Sequence, residues 1–166
     1  LIASDVRTAR IRLLRDTIAR SGARHAHIVH IPVHGPLPFN AFDRVLVDAP
    51  CSGLGTIRRD PDIRWRRAES DLPRLAEQQV DLLLRAAHVV RTGGRLVYAT
   101  CSSEPDENDD VVNAFLERAP FDRLDLRSQS AEPLQPLLDD RGTLRTLPFA
   151  HGLEAFFATA MVRRER

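Results

Sequence analysis

Two segments of this sequence, RVLVDA at 44–49 and RLVYAT at 95–100, are apolar on both faces, and a long amphipathic helix separates them. A strand of that kind has to be covered from both sides, which predicts a parallel sheet in an α/β arrangement. In the intervening helix Leu72, Leu75, Ala76, Val80, Leu83, Leu84, Ala87 and Val90 recur at helical spacing and make a wide apolar stripe. Pro73 is tolerated in its first turn, and Gly93 with Gly94 is expected to end it.

The flanking sequence extends the same pattern. LIAS is a short apolar run ending at Asp5. Val6, Ile11, Leu14 and Ile18 predict a helix to about Arg20, closed by Gly22, and HIVHI at 27–31 reads as a strand stopped by Pro32. HGPLPFNAF reads as a loop, as does the polar stretch 50–69, rich in Pro, Gly and Arg. Ser103 with Asp106 predicts a capped helix start. The acids Glu104, Asp106, Glu107, Asp109 and Asp110 are expected to crowd its first turn, with Arg118 in the last. FDRLDL reads as a short strand, 127–146 as loop, and LEAFFATAMVRR at 153–164 as a final strand. The order is β-α-β-β-α-β-α-β-β, a mostly parallel doubly wound sheet lacking its first strand. The chain starts within a strand and without an initiator Met, so it reads as the C-terminal piece of something longer. A gap beside strand 44–49, exposing apolar surface, is the expected consequence.

At 166 residues the chain has the size of one domain. A net charge of +1 gives no global basic field, so affinity for nucleic acid has to come from a local patch. All 24 basic residues are arginine, a uniformity that weakens the meaning of any single one. The two cysteines make neither a disulfide framework nor a zinc spacing. His25 and His27 face opposite to His30 on a strand, and Pro32 breaks the register before His34, so no metal is expected. With no apolar run of membrane-spanning length and no signal peptide, the expectation is a soluble, cytoplasmic protein in a reducing compartment.

In open α/β sheets ligands bind in the crevice beyond the carboxyl ends of the strands. Asp5, Asp48 with Cys51, and Cys101 all fall at such ends. The strands at 44–49 and 95–100, joined by one crossover, are expected to lie side by side, about 4.8 Å apart, placing both thiols in one crevice. Asp5 stands where nucleotide-type ligands have their ribose hydroxyls held, a role compatible with capping the helix that follows. A nucleotide-like cofactor facing a thiol nucleophile is the reading. Arg58, Arg59, Arg64, Arg66 and Arg67 surround Trp65 in the long loop, a grouping that binds phosphates and stacks a base, or is simply solvated.

The segments DAPCSGLGTIRRDPDIRW, QQVDLLLRAAHVVRTGGRLVYATCSSEPDENDDVV and LPFAHGLEAFFATAM resemble the Sun/Fmu (RsmB-like) RNA cytosine-C5 methyltransferases, over most of residues 40–160. RRDPDIRW points within that family toward bacterial enzymes acting on small-subunit ribosomal RNA. The resemblance implies a Rossmann-like class I methyltransferase fold with S-adenosyl-L-methionine as methyl donor and RNA as partner. It implies Cys101 as nucleophile, Cys51 as the residue assisting product release, and Asp48 between cofactor and target base. Asp5 and Asp48 would hold the cofactor, and Arg58, Arg59, Arg64 and Trp65 the RNA. The family's glycine-rich cofactor loop is expected upstream of residue 1, and 28–42 carries no acid for the adenine side. HGLEAFF has Glu154-Ala155 where the family usually has Asp-Gly. Residues 1–166 therefore read as a partial catalytic domain, expected to transfer no methyl group alone. Two other readings stay open: a non-catalytic, methyltransferase-like RNA-binding module, and a DNA cytosine-C5 methyltransferase with its Pro-Cys nucleophile at Cys51.

Overall fold

The computed structural model describes residues 1–39, 41–129 and 132–165. They fall into two compact units, one ending at Phe39 and one starting at Asn40.

The first unit is a βαβ element. Strand β1 (Ile2–Asp5), helix α1 (Thr8–Ser21) and strand β2 (His27–His30) follow the expected order. The strands are parallel, with Ile2 opposite His27 and Asp5 opposite His30. Asp5 thus stands at the carboxyl end of β1. His30 turns its Nε2 to the Val6 carbonyl at 2.9 Å. No group of three or more His, Cys, Asp or Glu able to hold a metal ion occurs among the described residues.

The second unit holds strands β3 (Phe42–Asp48), β4 (Val90–Thr100), β5 (Phe121–Arg123), β6 (Leu144–Thr146) and β7 (Phe156–Arg163) in one sheet. The order is β3-β4-β7-β5, with β6 also on β7. The sheet is mixed. β3 and β4 are parallel, as their helical crossover requires, and every pairing of β7 is antiparallel. β4 lies along one edge of β7, while β6 and β5 share the other edge end to end.

Helix α3 (Leu72–His88) buries the stripe read from the sequence, including Leu72, Leu75, Val80, Leu83 and Ala87. It packs against β3, β4 and helix α4 (Asp109–Arg118). Leu83, Leu96, Tyr98, Val112, Phe115 and Met161 form the fully buried centre of that core.

Three expectations are corrected. α3 ends at His88, not at the Gly93-Gly94 pair, because Val89 and Val90 are drawn into the core and Val90 already belongs to β4. Phe42 lies opposite Val90 and Arg44 opposite Arg95, so residues 91–94 bulge out with the glycines at their end. Ser103 does not cap a helix: its hydroxyl donates to Glu104, and a single tight turn, Pro105–Glu107, precedes α4. Strand 44–49 is not covered on both faces. Val47 is buried, but Leu46 points to the opposite face and is 67% exposed. No helix among the described residues is long and apolar enough to cross a membrane.

Candidate active site

β3 and β4 run in the same direction and end together, with Asp48 opposite Ala99. The Ala49 N–H continues the ladder to the Ala99 carbonyl at 2.9 Å before the chains turn away from each other. Cys51 and Cys101 lie just past those ends, and their sulfurs are 3.3 Å apart. Both are free and half-buried. The closeness of the two thiols expected from one crossover is what the register produces. Asp48 stands exposed at the end of β3, close enough for its charge to act on the Cys101 thiol.

The two thiols are not equivalent. A hydrogen bond from Cys51 stabilises the Cys101 thiolate and lowers its pKa from 9.0 to about 7, against the opposing effects of burial and the Asp48 charge. The same bond, with burial, pushes the Cys51 thiol well up. A Cys51 S–H donating to the Cys101 sulfur favours the thiolate at Cys101, the form in which a cysteine is nucleophilic. The reaction of Cys101 with iodoacetamide is therefore expected to rise with pH through about 7 as thiol becomes thiolate. In Cys51→Ala the donor is gone, the pKa moves back toward 9.0, and the rate at pH 7 should fall more than about tenfold. A profile unchanged by that substitution would show that Cys51 does not set the state of Cys101.

The loop after Cys51 reverses at Gly53, whose φ of +79° favours glycine. It then crosses the other cysteine turn. The Gly55 N–H donates to the Cys101 carbonyl, and the Gly55 carbonyl accepts from the Ala155 N–H, each at 3.0 Å. Residues 155–157, leading into β7, are thereby tied to both cysteine loops. A β-carbon on Gly55 would lie 2.1 Å from the Ala155 oxygen and 2.8 Å from the Cys101 oxygen, so only glycine fits this crossing. Arg59, on the same loop, pairs with Glu154 at 3.3 Å.

Beneath the thiols lies a polar cluster that the sequence did not reveal. Glu107 is fully buried and accepts from the residue following each cysteine: the Ser52 N–H and hydroxyl, and the Ser102 hydroxyl. Gln79 of α3 donates to Glu107 and to the Pro50 carbonyl. Glu107 is thus a core residue, and it lies in the tight turn before α4, not in the helix first turn where it was expected. The repeated Cys-Ser pair was the visible signal; nothing in the sequence linked it to a carboxylate.

The remaining expected residues are placed as follows. Asp5 accepts from the Arg7 N–H through Oδ1 at 2.7 Å, bracing the entry to α1, while its Oδ2 lies 3.9 Å from the Arg10 guanidinium. It belongs to the first unit, whereas Asp48, Cys51 and Cys101 belong to the second. Trp65, in the short helix α2 (Ile63–Arg66), is 85% exposed. Arg58, Arg59 and Arg64 are exposed as well. Arg66 is neutralised by Asp60 and Asp62, Arg59 pairs with Glu154, and Arg64 donates to the Pro61 carbonyl.

Solved structures share this fold along nearly the whole chain. The crystal structure of PH0851 matches with a TM-score of 0.85 and 32% identity, covering 98% of this chain and 36% of its own. NSun6 from Pyrococcus horikoshii, crystallised with SFG, matches with a TM-score of 0.81 at 23% identity, covering 99% and 41%, and shares the fold. The architecture is that of the Rossmann-like, class I methyltransferases. Within that class the chain belongs to the 16S rRNA methyltransferase RsmB/F family, whose model matches residues 1–162. Among its relatives is the probable ribosomal RNA small subunit methyltransferase B of Bacillus subtilis, 38% identical over 165 residues. The match covers 96% of this chain but only 37% of that protein's length.

Proposed function

We propose that the protein methylates C5 of a cytosine in small-subunit ribosomal RNA through a covalent adduct with Cys101, and that residues 1–166 form part of its catalytic domain. The observation that carries this reading is the pair of thiols 3.3 Å apart at the ends of β3 and β4. Family membership supports RNA as the methyl acceptor.

The chemistry uses both sulfurs. C5 of cytosine is too weak a nucleophile to take a methyl group unaided. The Cys101 thiolate adds to C6, forming a carbon–sulfur bond and placing the displaced electron pair at C5. S-adenosylmethionine, when bound, supplies an electrophilic methyl group to that carbon. Loss of the C5 proton to a base then expels the Cys101 thiolate and restores the ring. Cys51, the protonated partner, assists this release, and Asp48 holds the edge of the base as charge develops.

For the donor, Asp5, whose Oδ1 accepts from the Arg7 N–H at the end of β1, would hold ribose hydroxyls, and Asp48 is exposed beside the thiols. The base has to arrive unstacked, from single-stranded or flipped-out RNA. Trp65 offers a stacking face, and Arg58 and Arg64 bind phosphates, with Arg59 shared between RNA and Glu154.

The test is methylation of small-subunit rRNA by the full-length protein, with the modified atom identified by nucleoside mass spectrometry. The expected product is 5-methylcytidine, and Cys101→Ala is expected to lower the rate by about a thousandfold or more. A methyl group on a ring nitrogen or on ribose would overturn the proposal, as would an adduct formed through Cys51.

A further inference from the structure

We infer that Glu107 is a positioning residue of the two-thiol site, a buried carboxylate that holds both cysteine turns against each other. The inference deepens the proposed function and rests on it for its catalytic meaning.

Ser52 follows Cys51, Ser102 follows Cys101, and the two turns are 50 residues apart in sequence. Glu107 is 0% exposed and reaches both. Its Oε1 accepts from the Ser52 N–H at 2.8 Å and from Gln79 Nε2 at 2.9 Å. Its Oε2 accepts from the Ser52 hydroxyl at 2.5 Å and the Ser102 hydroxyl at 2.6 Å. Four donors fill the acceptor sites of one carboxylate.

No ion pair to this carboxylate occurs among the described residues, so hydrogen bonds alone compensate its burial. Such a group tolerates little displacement, because any donor that moves leaves a buried oxygen unsatisfied. Its own position is fixed from β4, where the Tyr98 hydroxyl donates to the Glu107 carbonyl at 2.6 Å. Gln79 adds the residue before Cys51 to the same lattice through the Pro50 carbonyl at 3.0 Å. Pro50, Ser52 and Ser102 are therefore all referred to one carboxylate or to the amide bonded to it. The sulfurs, which project from these turns, inherit that geometry. Fully buried, Glu107 touches no substrate and acts only through the cysteines.

The test reads thiol proximity without RNA or methyl donor, so its failure and that of the proposed methyl transfer are separable. Equilibration with oxidised glutathione converts the two thiols to one protein disulfide and releases two molecules of reduced glutathione. The equilibrium constant gives the effective concentration of one thiol at the other. Glu107→Gln, which keeps the size but replaces an acceptor oxygen by a donor, is expected to lower it at least tenfold.

Val112→Ala is the control. It removes a fully buried core residue of α4 outside the cluster, and is expected to lower Tm while leaving the effective concentration within twofold of the parent. Ser102→Ala, which deletes one bond to the carboxylate, is expected to give a threefold or larger decrease, and it becomes the deciding variant if Glu107→Gln does not fold. An unchanged effective concentration in folded Glu107→Gln or, where that variant is unfolded, in Ser102→Ala would overturn the inference. A decrease in Val112→Ala matching that in Glu107→Gln would overturn it too.

Discussion

Cys51→Ala, assayed in the full-length protein at pH 8.5, is expected to accumulate an RNA–protein complex that survives denaturing electrophoresis, while multiple turnover disappears. Two effects of the missing thiol act at different steps. Without the Cys51 S–H, Cys101 loses its hydrogen-bond donor and is less ionised at neutral pH, which slows adduct formation. An alkaline assay restores part of the thiolate and lowers that obstacle. Release still lacks the assisting group, so the adduct, once formed, persists. The double substitution Cys51→Ala with Cys101→Ala should show no complex, placing the covalent bond on Cys101. Normal turnover by Cys51→Ala, without a slowly migrating species, would remove Cys51 from the mechanism.

Gly55→Ala is the second substitution with a large expected effect. The new methyl group would sit 2.1 Å from one carbonyl oxygen and 2.8 Å from another, both backbone atoms. No rotamer relieves such a clash, so one of three crossing segments has to move. Overpacking of this kind costs about 1–3 kcal/mol, and we expect the upper part of that range, read as a lower midpoint of denaturant unfolding. The Cys101 carbonyl is one of the atoms displaced, so catalysis suffers beyond the loss of stability. Misplacing a reacting group by about 1 Å costs on the order of a hundredfold in rate. A Gly55→Ala protein with parental stability and methylation would mean that the 154–157 segment yields freely and does not brace the thiols.

The sequence made the skeleton of this site legible because its determinants are local. Strand-like runs at 44–49 and 95–100, a single helical stripe between them and the placement of each cysteine were enough to bring two thiols together. The stripe lay where its spacing put it because burial of Leu75, Val80, Leu83 and Ala87 depends only on helical periodicity. What escaped was set by tertiary contact. Glu107 looked like one of five acids crowding a helix first turn, and contacts from turns and helices far off in sequence, Ser52 from 55 residues away among them, make it a core residue. Leu46 looked covered on the strength of its composition, yet the cover of a strand face depends on what packs against that face, and Leu46 is 67% exposed. β6 is only three residues long and owes its existence to β7, so no local pattern marked it in the stretch read as loop. Trp65 and the arginines beside it stood out in the sequence because an aromatic among cations is conspicuous. The ion pair of Arg59 with Glu154, which removes part of that charge, joins residues far apart in sequence.

The antiparallel pairing of β7 with β4 also has a consequence for biosynthesis. Translation delivers both cysteines, α3 and β4 well before the strand that covers the free edge of β4, and the Ala155 tie to the thiol loops comes with that strand. Synthesis proceeds at about 5–20 residues per second, so the nascent chain spends seconds with a long apolar strand unpaired on one side. An open edge of that kind is a template for pairing with other chains. During the same interval the two thiols are in the chain without the brace that β7 brings. The emerging polypeptide is therefore exposed to aggregation and to adventitious thiol chemistry until β7 leaves the ribosome.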